Sequence, residues 1–356
     1  MPIKLAPGVI TGNALKDLNA VCKEYSCALP AVNVISSEGI GAALAAASEA
    51  KAPIIIQFSN GGGSFYAGKG LSNDKHQGAI AGSIAGALSV HHLAKAYGVP
   101  VILHTDHAAR KLLPWIDGLI SYSELHYKQH GMPLFSSHML DLSEDSLDDN
   151  LNTCAEYLER MNKLGMTLEI ELGITGGEED GVDNSGVDHA DLYTKAVDVL
   201  QAYDKLNSIG NFTVAASFGN THGVYSPGNV TLKPEILKES QELVAKERGT
   251  KVKPLDLVFH GGSGSEQAKI TEAVSYGVVK FNIDTDTQWA FTEPVRQYID
   301  EKRDYLMRQI GNPEGAEKPN KKHIDPRTYL ANGAKNMTAR LVQSFRDLNA
   351  YGKFEF

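Results

Sequence analysis

The sequence holds only three cysteines, Cys22, Cys27 and Cys154, an odd number without CxxC spacing. This excludes a disulfide frame or a zinc ribbon and points to reduced thiols in a cytoplasmic protein. Any metal would have to be held by histidine and carboxylate. Long hydrophobic runs are missing too. No stretch approaches the roughly 18 apolar residues of a membrane span. The opening MPIKLAPGVI has neither an apolar core nor a cleavage site, so no secretion signal is expected. Positive charge is in deficit, with 34 Lys and Arg against 43 Asp and Glu and a net charge of −9. That balance favours solubility and argues against a nucleic-acid surface. No repeat, low-complexity tract or clear linker divides the chain, so residues 1–356 are expected to form a single domain.

What the sequence does contain is alternation. Eight short apolar runs, at 28–34, 53–59, 100–106, 134–141, 167–173, 212–219, 255–262 and 277–286, each end in polar residues or glycine. Their near-continuous hydrophobicity suits parallel strands buried on both faces. Segments between them, such as 39–50 and 79–97, are alanine-rich at helical spacing. A doubly wound sheet would match this alternation as well as a barrel would. The reactive residues break the tie. Asn33, Ser59, Asp106, His107, Asp141, Glu171, His260, Asn282 and Asp284 all fall at C-terminal strand ends, and His222 follows the sixth run closely. Barrel enzymes converge such ends on one mouth, whereas an open sheet would scatter them. The expected fold is therefore an α/β (β/α)₈ TIM barrel. A barrel takes about 250 residues, which leaves room for a C-terminal helical extension over about 311–356. Within it, GNPEGAEKPNKKHID (311–325) reads as an exposed connector and 329–348 as a helix packing on the barrel or a second subunit.

Three of the twelve histidines stand out by context: His107 in HTDHAARKLLPW, His222 in ASFGNTHGVY and His260 in FHGGSGS. Three neutral imidazoles that leave a coordination position open make a common catalytic zinc set. By contrast His91, His92, His126, His130, His189 and His323 lie on helix-like or loop stretches and are expected to face solvent. Strict alternation would send Asp106 and His107 to opposite sides, so the chain must turn there for both to face the mouth. Glu169 and Glu171, two apart, share one face. If that face is interior, a cation or Lys and Arg partners must offset the cost of burying both. Asp141 ends the neighbouring run and is placed to join Glu171 at a second metal position.

Glycine marks the anion chemistry. HGGSGS (260–265) offers successive backbone N–H groups before a helix, and NIDTDT (282–287) follows the eighth run. In barrels the loops after strands seven and eight often bind phosphate. A second glycine-rich run, GGGSFYAGKG (61–70), contains GxxxxGK but has Gly70 where a nucleotide loop needs Ser or Thr. It is expected to be a loop that shapes a substrate pocket beside Ser59 instead. The acidic, glycine-rich stretch 174–191 lacks the order of a calcium loop and reads either as a solvated loop or as a lid carrying a base.

Long segments, among them LHTDHAARKLLPWIDG, LFSSHMLDLSE, LEIELGITGGEEDGVDN, FGNTHGVYSPGNV, VFHGGSGS and GVVKFNIDTDTQWA, closely resemble class II fructose-bisphosphate aldolases of the longer enterobacterial and fungal type. The resemblance runs from PGVITG (7–12) to PNKKHIDPR (319–327). It implies that His107, His222 and His260 hold the catalytic zinc and that Asp141 and Glu171 belong to a second or alternative zinc position. It further implies Asp106 as acid/base at the C4 hydroxyl. Gly223, Gly261, Gly262, Ser263, Asn282, Asp284 and Thr285 would hold the dihydroxyacetone phosphate half, and Asn33 also lines the substrate. Ser59 would contact the aldehyde half, and Arg327 its phosphate from the other subunit of a homodimer. A monovalent cation, Na⁺ or K⁺, near the phosphate loop is usual in the family. Ala108, Arg110 and Thr221 stand where the family commonly has Cys, Lys and Val, and none of these is a ligand or acid/base position.

In the expected chemistry, zinc acts as Lewis acid on the ketone substrate, Glu179 is the first choice for its base, and Glu178 is the second. Lys280 would be the obvious amine for a Schiff-base route, which the histidine set disfavours. Three alternatives remain at this stage: a tagatose-bisphosphate aldolase, a metal-dependent hydrolase of a phosphorylated small molecule, and a non-enzymatic binding protein.

Overall fold

Eight of the strands are short apolar segments with almost every residue buried, as expected for strands covered on both faces. They are β1 (Leu29–Asn33), β2 (Ile54–Phe58), β3 (Pro100–Thr105), β4 (Ser137–Leu140), β5 (Thr167–Leu172), β6 (Phe212–Ala216), β7 (Leu257–Phe259) and β8 (Val278–Asn282). Each falls within one of the eight runs read from the sequence. The computed structural model describes residues 4–179, 182–183, 193–222 and 232–356, with side chains described for all but 176–179, 182–183 and 222.

The eight strands pair in parallel in the order β3-β2-β1-β8-β7-β6-β5-β4, and a two-residue strand, Gly8–Val9, adds to the outer side of β3. Every pairing joins strands adjacent in sequence, apart from β1 with β8. The sheet curls until β3 meets β4. There the Ser136 N–H donates to the Leu103 carbonyl at 2.9 Å, and the Ser136 hydroxyl accepts from the Leu103 N–H at 2.9 Å. Polar side chains continue this seam. The His104 ring bonds the Ser137 hydroxyl at 2.7 Å, and the Thr105 hydroxyl bonds the His138 ring at 2.8 Å.

Helices cover the outside of this sheet. Ser37–Ala50 is nearly all small residues on its buried face, so it packs close to its neighbours; the Ser36 hydroxyl caps its start. Gln77–Tyr97 ends at Gly98 in the left-handed conformation. The run GGGSFYAGKG proves to begin as a short helix, Asn60–Tyr66, rather than an open loop. That helix lies against Gln77–Tyr97 so closely that a methyl group on Gly82 would fall on the Gly63 carbonyl oxygen. Because the obstacle is backbone, it cannot swing aside. Gly82→Ala is expected to lower stability by about 3 kcal/mol, the upper end for overpacking, read as a fall in the urea midpoint.

The connector 311–325 is also more ordered than its composition suggests. Ile310–Asn312 and Gly315–Pro319 form an antiparallel hairpin, and a short helix, Lys321–Ile324, follows. The long helix Pro326–Asp347 then packs on Thr285–Glu301 and Ser37–Ala50, burying Leu341 and Phe345. No helix among the described residues is long and apolar enough to cross a membrane.

One histidine departs from expectation. His126 is buried, its Nδ1 bonded to the Met132 carbonyl at 2.7 Å, because its helix face turns inward at that position. His91 is half-buried, His92 and His130 are exposed, His323 is half-buried, and His189 lies outside the described residues.

Candidate active site

β3 delivers the central pair. Asp106 continues the ladder, its N–H donating to the Phe58 carbonyl at 2.9 Å. His107 then turns the chain with φ at +35°. A non-glycine residue rarely adopts this left-handed region, and such strain concentrates at functional sites. The turn sends both side chains to one end of the sheet, as the sequence required.

Asp106 is buried and held on both sides. The Asn33 amide at the end of β1 donates to Oδ2 at 3.0 Å, and the Asn282 amide at the end of β8 donates to Oδ1 at 3.2 Å. Asn33 is itself fixed by Gln57, whose Nε2 donates to it at 2.6 Å. The carboxylate is thus oriented by three strands, with lone pairs left over for a substrate hydroxyl.

Around His107 the donors cluster in two ways. One atom from each of Asp106, His107 and His260 lies within 4.8 Å of the others, and so does one from each of His107, Asp141 and Glu171. The His107 and His260 rings meet edge to face at 4.6 Å. His107 Nδ1 lies 2.9 Å from Asp141 Oδ2 and 3.5 Å from Glu171 Oε2. Neighbouring hydroxyls orient the two carboxylates: Ser143 donates to Asp141 Oδ1 at 2.7 Å and Thr175 to Glu171 Oε1 at 2.7 Å.

The ionisation states suit a cation. Burial pushes the His260 imidazole down to about 4, and the neighbouring His107 adds to this against the pull of Glu169. Burial alone would raise the Asp141 carboxyl, but the hydrogen bond and charge of His107 and the Ser143 donors outweigh it and bring it to about 2. A neutral His260 imidazole and an ionised Asp141 carboxylate are each in the state that ligates metal, and this nitrogen and oxygen set fits zinc.

Beneath the cluster lies a charged layer that the sequence only half disclosed. Lys280 Nζ on β8 sits 2.9 Å from Glu169 Oε1 on β5, His260 Nε2 lies 2.8 Å from the same oxygen, and His104 Nε2 on β3 is 3.3 Å from Oε2. These strands are not neighbours in the sheet, so the bonds cross the enclosed space. Burial opposes the charge on Glu169, yet Lys280, His104 and His260 outweigh it and hold its carboxyl well below the usual range. Glu169 and Glu171 therefore do share the interior face, and a lysine is the partner that offsets the first of them. The signal was their spacing; the partner lies 111 residues away. Gln57, His104, Ser143 and Thr175 carried no comparable signal.

The glycine-rich turn after β7 reaches the same end. Gly261 has φ at +61°, and a Cβ there would strike the Thr221 backbone, so only glycine lets the two segments approach. The Gly262 N–H donates to the Asn282 carbonyl at 3.2 Å, and the Ser263 hydroxyl accepts from the Asp286 N–H at 3.3 Å. Asp284 and Thr285 begin the helix Thr285–Glu301, so HGGSGS and NIDTDT are joined at one helix N-terminus.

Not every candidate is gathered in. The Ser59 hydroxyl caps the helix Asn60–Tyr66 by accepting from the Gly62 N–H at 3.0 Å. Arg327 pairs with Asp325 at 2.6 Å, its side chain 90% exposed. The backbone of Gly176–Glu179 pairs with Val182–Asp183 and with Thr221–His222, which sets the acidic stretch beside the His222 segment. The side chains of Glu178, Glu179 and His222, and all of Gly223, lie outside the described residues.

A curled parallel α/β sheet with imidazoles, carboxylates and a phosphate-type glycine turn at its C-terminal ends defines a metal-assisted enzyme of phosphorylated small molecules. Comparison with known proteins narrows this. Residues 13–353 match the family model described as fructose-bisphosphate aldolase class-II. The chain is 58% identical over 345 residues to a fructose-bisphosphate aldolase of Haemophilus influenzae, covering 96% of each. It is likewise 58% identical over 346 residues to fructose-bisphosphate aldolase class 2 of Escherichia coli K12, covering 97% of this chain and 96% of the relative. Among solved structures, fructose-bisphosphate aldolase from Campylobacter jejuni superposes with a TM-score of 0.90 at 55% identity over 99% of both chains. A putative aldolase from Coccidioides immitis, at 24% identity and a TM-score of 0.68, shares the fold. The chain belongs to the class-II fructose-bisphosphate aldolases, and is a lyase of that family.

Proposed function

We propose that this chain catalyses the reversible, zinc-dependent cleavage of fructose 1,6-bisphosphate to dihydroxyacetone phosphate and glyceraldehyde 3-phosphate, within a closed (β/α)₈ barrel bearing a C-terminal helical extension. The observation that carries the reading is the Asp106–His107 junction. One strained turn sets a carboxylate oriented by two amides beside an imidazole, which supports an acid/base next to a metal ligand. His107, His222 and His260 would hold the zinc, with Asp141 and Glu171 at a second or alternative position. Zinc, when bound, supplies Lewis-acid polarisation of the substrate carbonyl.

The remaining work falls to side chains and backbone. In cleavage Asp106 takes the C4 hydroxyl proton, and the C3–C4 bond breaks with its electron pair going to C3. Glu179, or Glu178 in second place, returns a proton there. Condensation reverses each transfer. Gly223, Gly261, Gly262, Ser263, Asn282, Asp284 and Thr285 would hold the dihydroxyacetone phosphate half, with a monovalent cation near the phosphate loop. Asn33 orients Asp106 toward the substrate, and Ser59 borders the aldehyde half. Arg327 would bind the second phosphate by reaching over to the other subunit of a homodimer, in keeping with its exposure.

Lys280 is engaged in a buried ion pair with Glu169, which leaves its amine occupied and unsuited to attack a carbonyl. Fructose 1,6-bisphosphate cleavage is expected to disappear on EDTA treatment and to return with added zinc. Activity that survives the chelator and is trapped by borohydride would overturn the reading.

A further inference from the structure

At the other end of the sheet from the proposed aldolase site, three histidines gather between two outer helices. His91 lies near the end of Gln77–Tyr97, while His126 and His130 lie four residues apart near the end of Leu113–His130. The His91 and His126 rings are 5.1 Å apart, and those of His126 and His130 are 4.4 Å apart.

Their hydrogen bonds decide which nitrogens are available. His91 Nε2 lies 2.8 Å from the Leu134 carbonyl, and His126 Nδ1 lies 2.7 Å from the Met132 carbonyl. A carbonyl oxygen only accepts, so each of these nitrogens carries the proton. In the neutral rings the opposite nitrogens, Nδ1 of His91 and Nε2 of His126, then carry bare lone pairs. A ring N–H anchored on a backbone carbonyl is the arrangement that orients imidazole toward a metal. Burial, the first cause, lowers the His91 pKa against the Leu134 bond, which favours the neutral ring that can ligate. His130 supplies the third donor. It follows His126 by one helical turn, on the same face, and its side chain is exposed. As the rings stand, the three donor nitrogens do not all lie within 4.8 Å of one another. A bound ion would therefore require the rings to turn until their donors converge, and the exposed His130 ring has the room to do so.

We infer that His91, His126 and His130 form a site for a divalent transition metal of the kind that prefers imidazole, such as Ni²⁺, Cu²⁺ or Zn²⁺, separate from the aldolase site. Three nitrogens and water complete a coordination shell that hard cations such as Mg²⁺ do not favour. The anchoring carbonyls of Met132 and Leu134 sit in the segment leading into β4. A bound ion would therefore tie the two helices to the entry of β4, the strand that leads to Asp141.

The test is a calorimetric titration of the zinc-loaded protein with NiCl₂, with nickel and zinc per chain counted after desalting. One nickel per chain is expected in addition to the retained zinc. His130→Asn should weaken it about tenfold or more, in the range for disturbed metal sites, with aldol cleavage unchanged. His91→Asn should act the same way by a second route. The inference is overturned if no nickel binds beyond zinc, if nickel merely displaces zinc one for one, or if both variants bind it as the wild type does.

Discussion

Asp106→Ala is expected to lower kcat for fructose 1,6-bisphosphate cleavage by about 10²–10⁴, the usual contribution of a positioned general acid/base. The variant should retain its zinc. The two amides that orient the carboxylate, from Asn33 and Asn282, have no part in holding His107 against Asp141. Elemental analysis beside the kinetics separates the roles. Lost turnover with full zinc assigns Asp106 to proton transfer. Lost zinc would instead make it a member of the Asp106, His107 and His260 donor cluster, and the acid/base role would then pass to another group.

A change of comparable size, in stability rather than rate, should follow removal of the buried amine. Lys280→Met leaves Glu169 ionised in the interior with imidazoles as its remaining partners. Breaking one half of a buried pair costs about 3–5 kcal/mol, to be read from urea unfolding at neutral pH. The pH dependence has a defined sign. Glu169 has a folded pKa below its unfolded value, so its stabilisation is present above the unfolded pKa and is lost as pH falls through the folded one. Without Lys280 the folded pKa rises, so acid unfolding should begin at higher pH. Adding Glu169→Gln should recover part of the loss, since neither partner is then left charged. An unchanged urea midpoint in Lys280→Met would show that the pair contributes little to the fold.

The fold was legible because its signal is repetitive. Eight buried strands leave eight apolar runs, and all eight were located from hydrophobicity alone. Their ends blurred where pairing, not composition, sets the boundary. Strand β4 was read from residue 134 but begins at Ser137, because Ser136 serves the seam with β3 through its hydroxyl. The glycines at 61–63 suggested a loop, yet Gly63 lets two helices touch, which only the partner at Gly82 reveals.

At the site, residues that carry chemistry by type, such as His107, Asp106 and Asp141, could be read directly. Those that hold them in place could not. Gln57 acts through Asn33, and Thr175 through Glu171, and nothing in an isolated glutamine or threonine announces such a task. His126 was misjudged for the same reason: its burial follows from a carbonyl six residues on and a neighbouring helix.

The turn at His107 sets two kinds of fitness against each other. Its φ of +35° is tolerated by glycine and, less readily, by asparagine, while an imidazole there costs about 1–2 kcal/mol. A library screened only for thermal resistance should therefore drift toward Gly at 107 and return sturdier, inert proteins. Persistence of histidine at this one position would then report selection for catalysis, independently of any assay of the reaction.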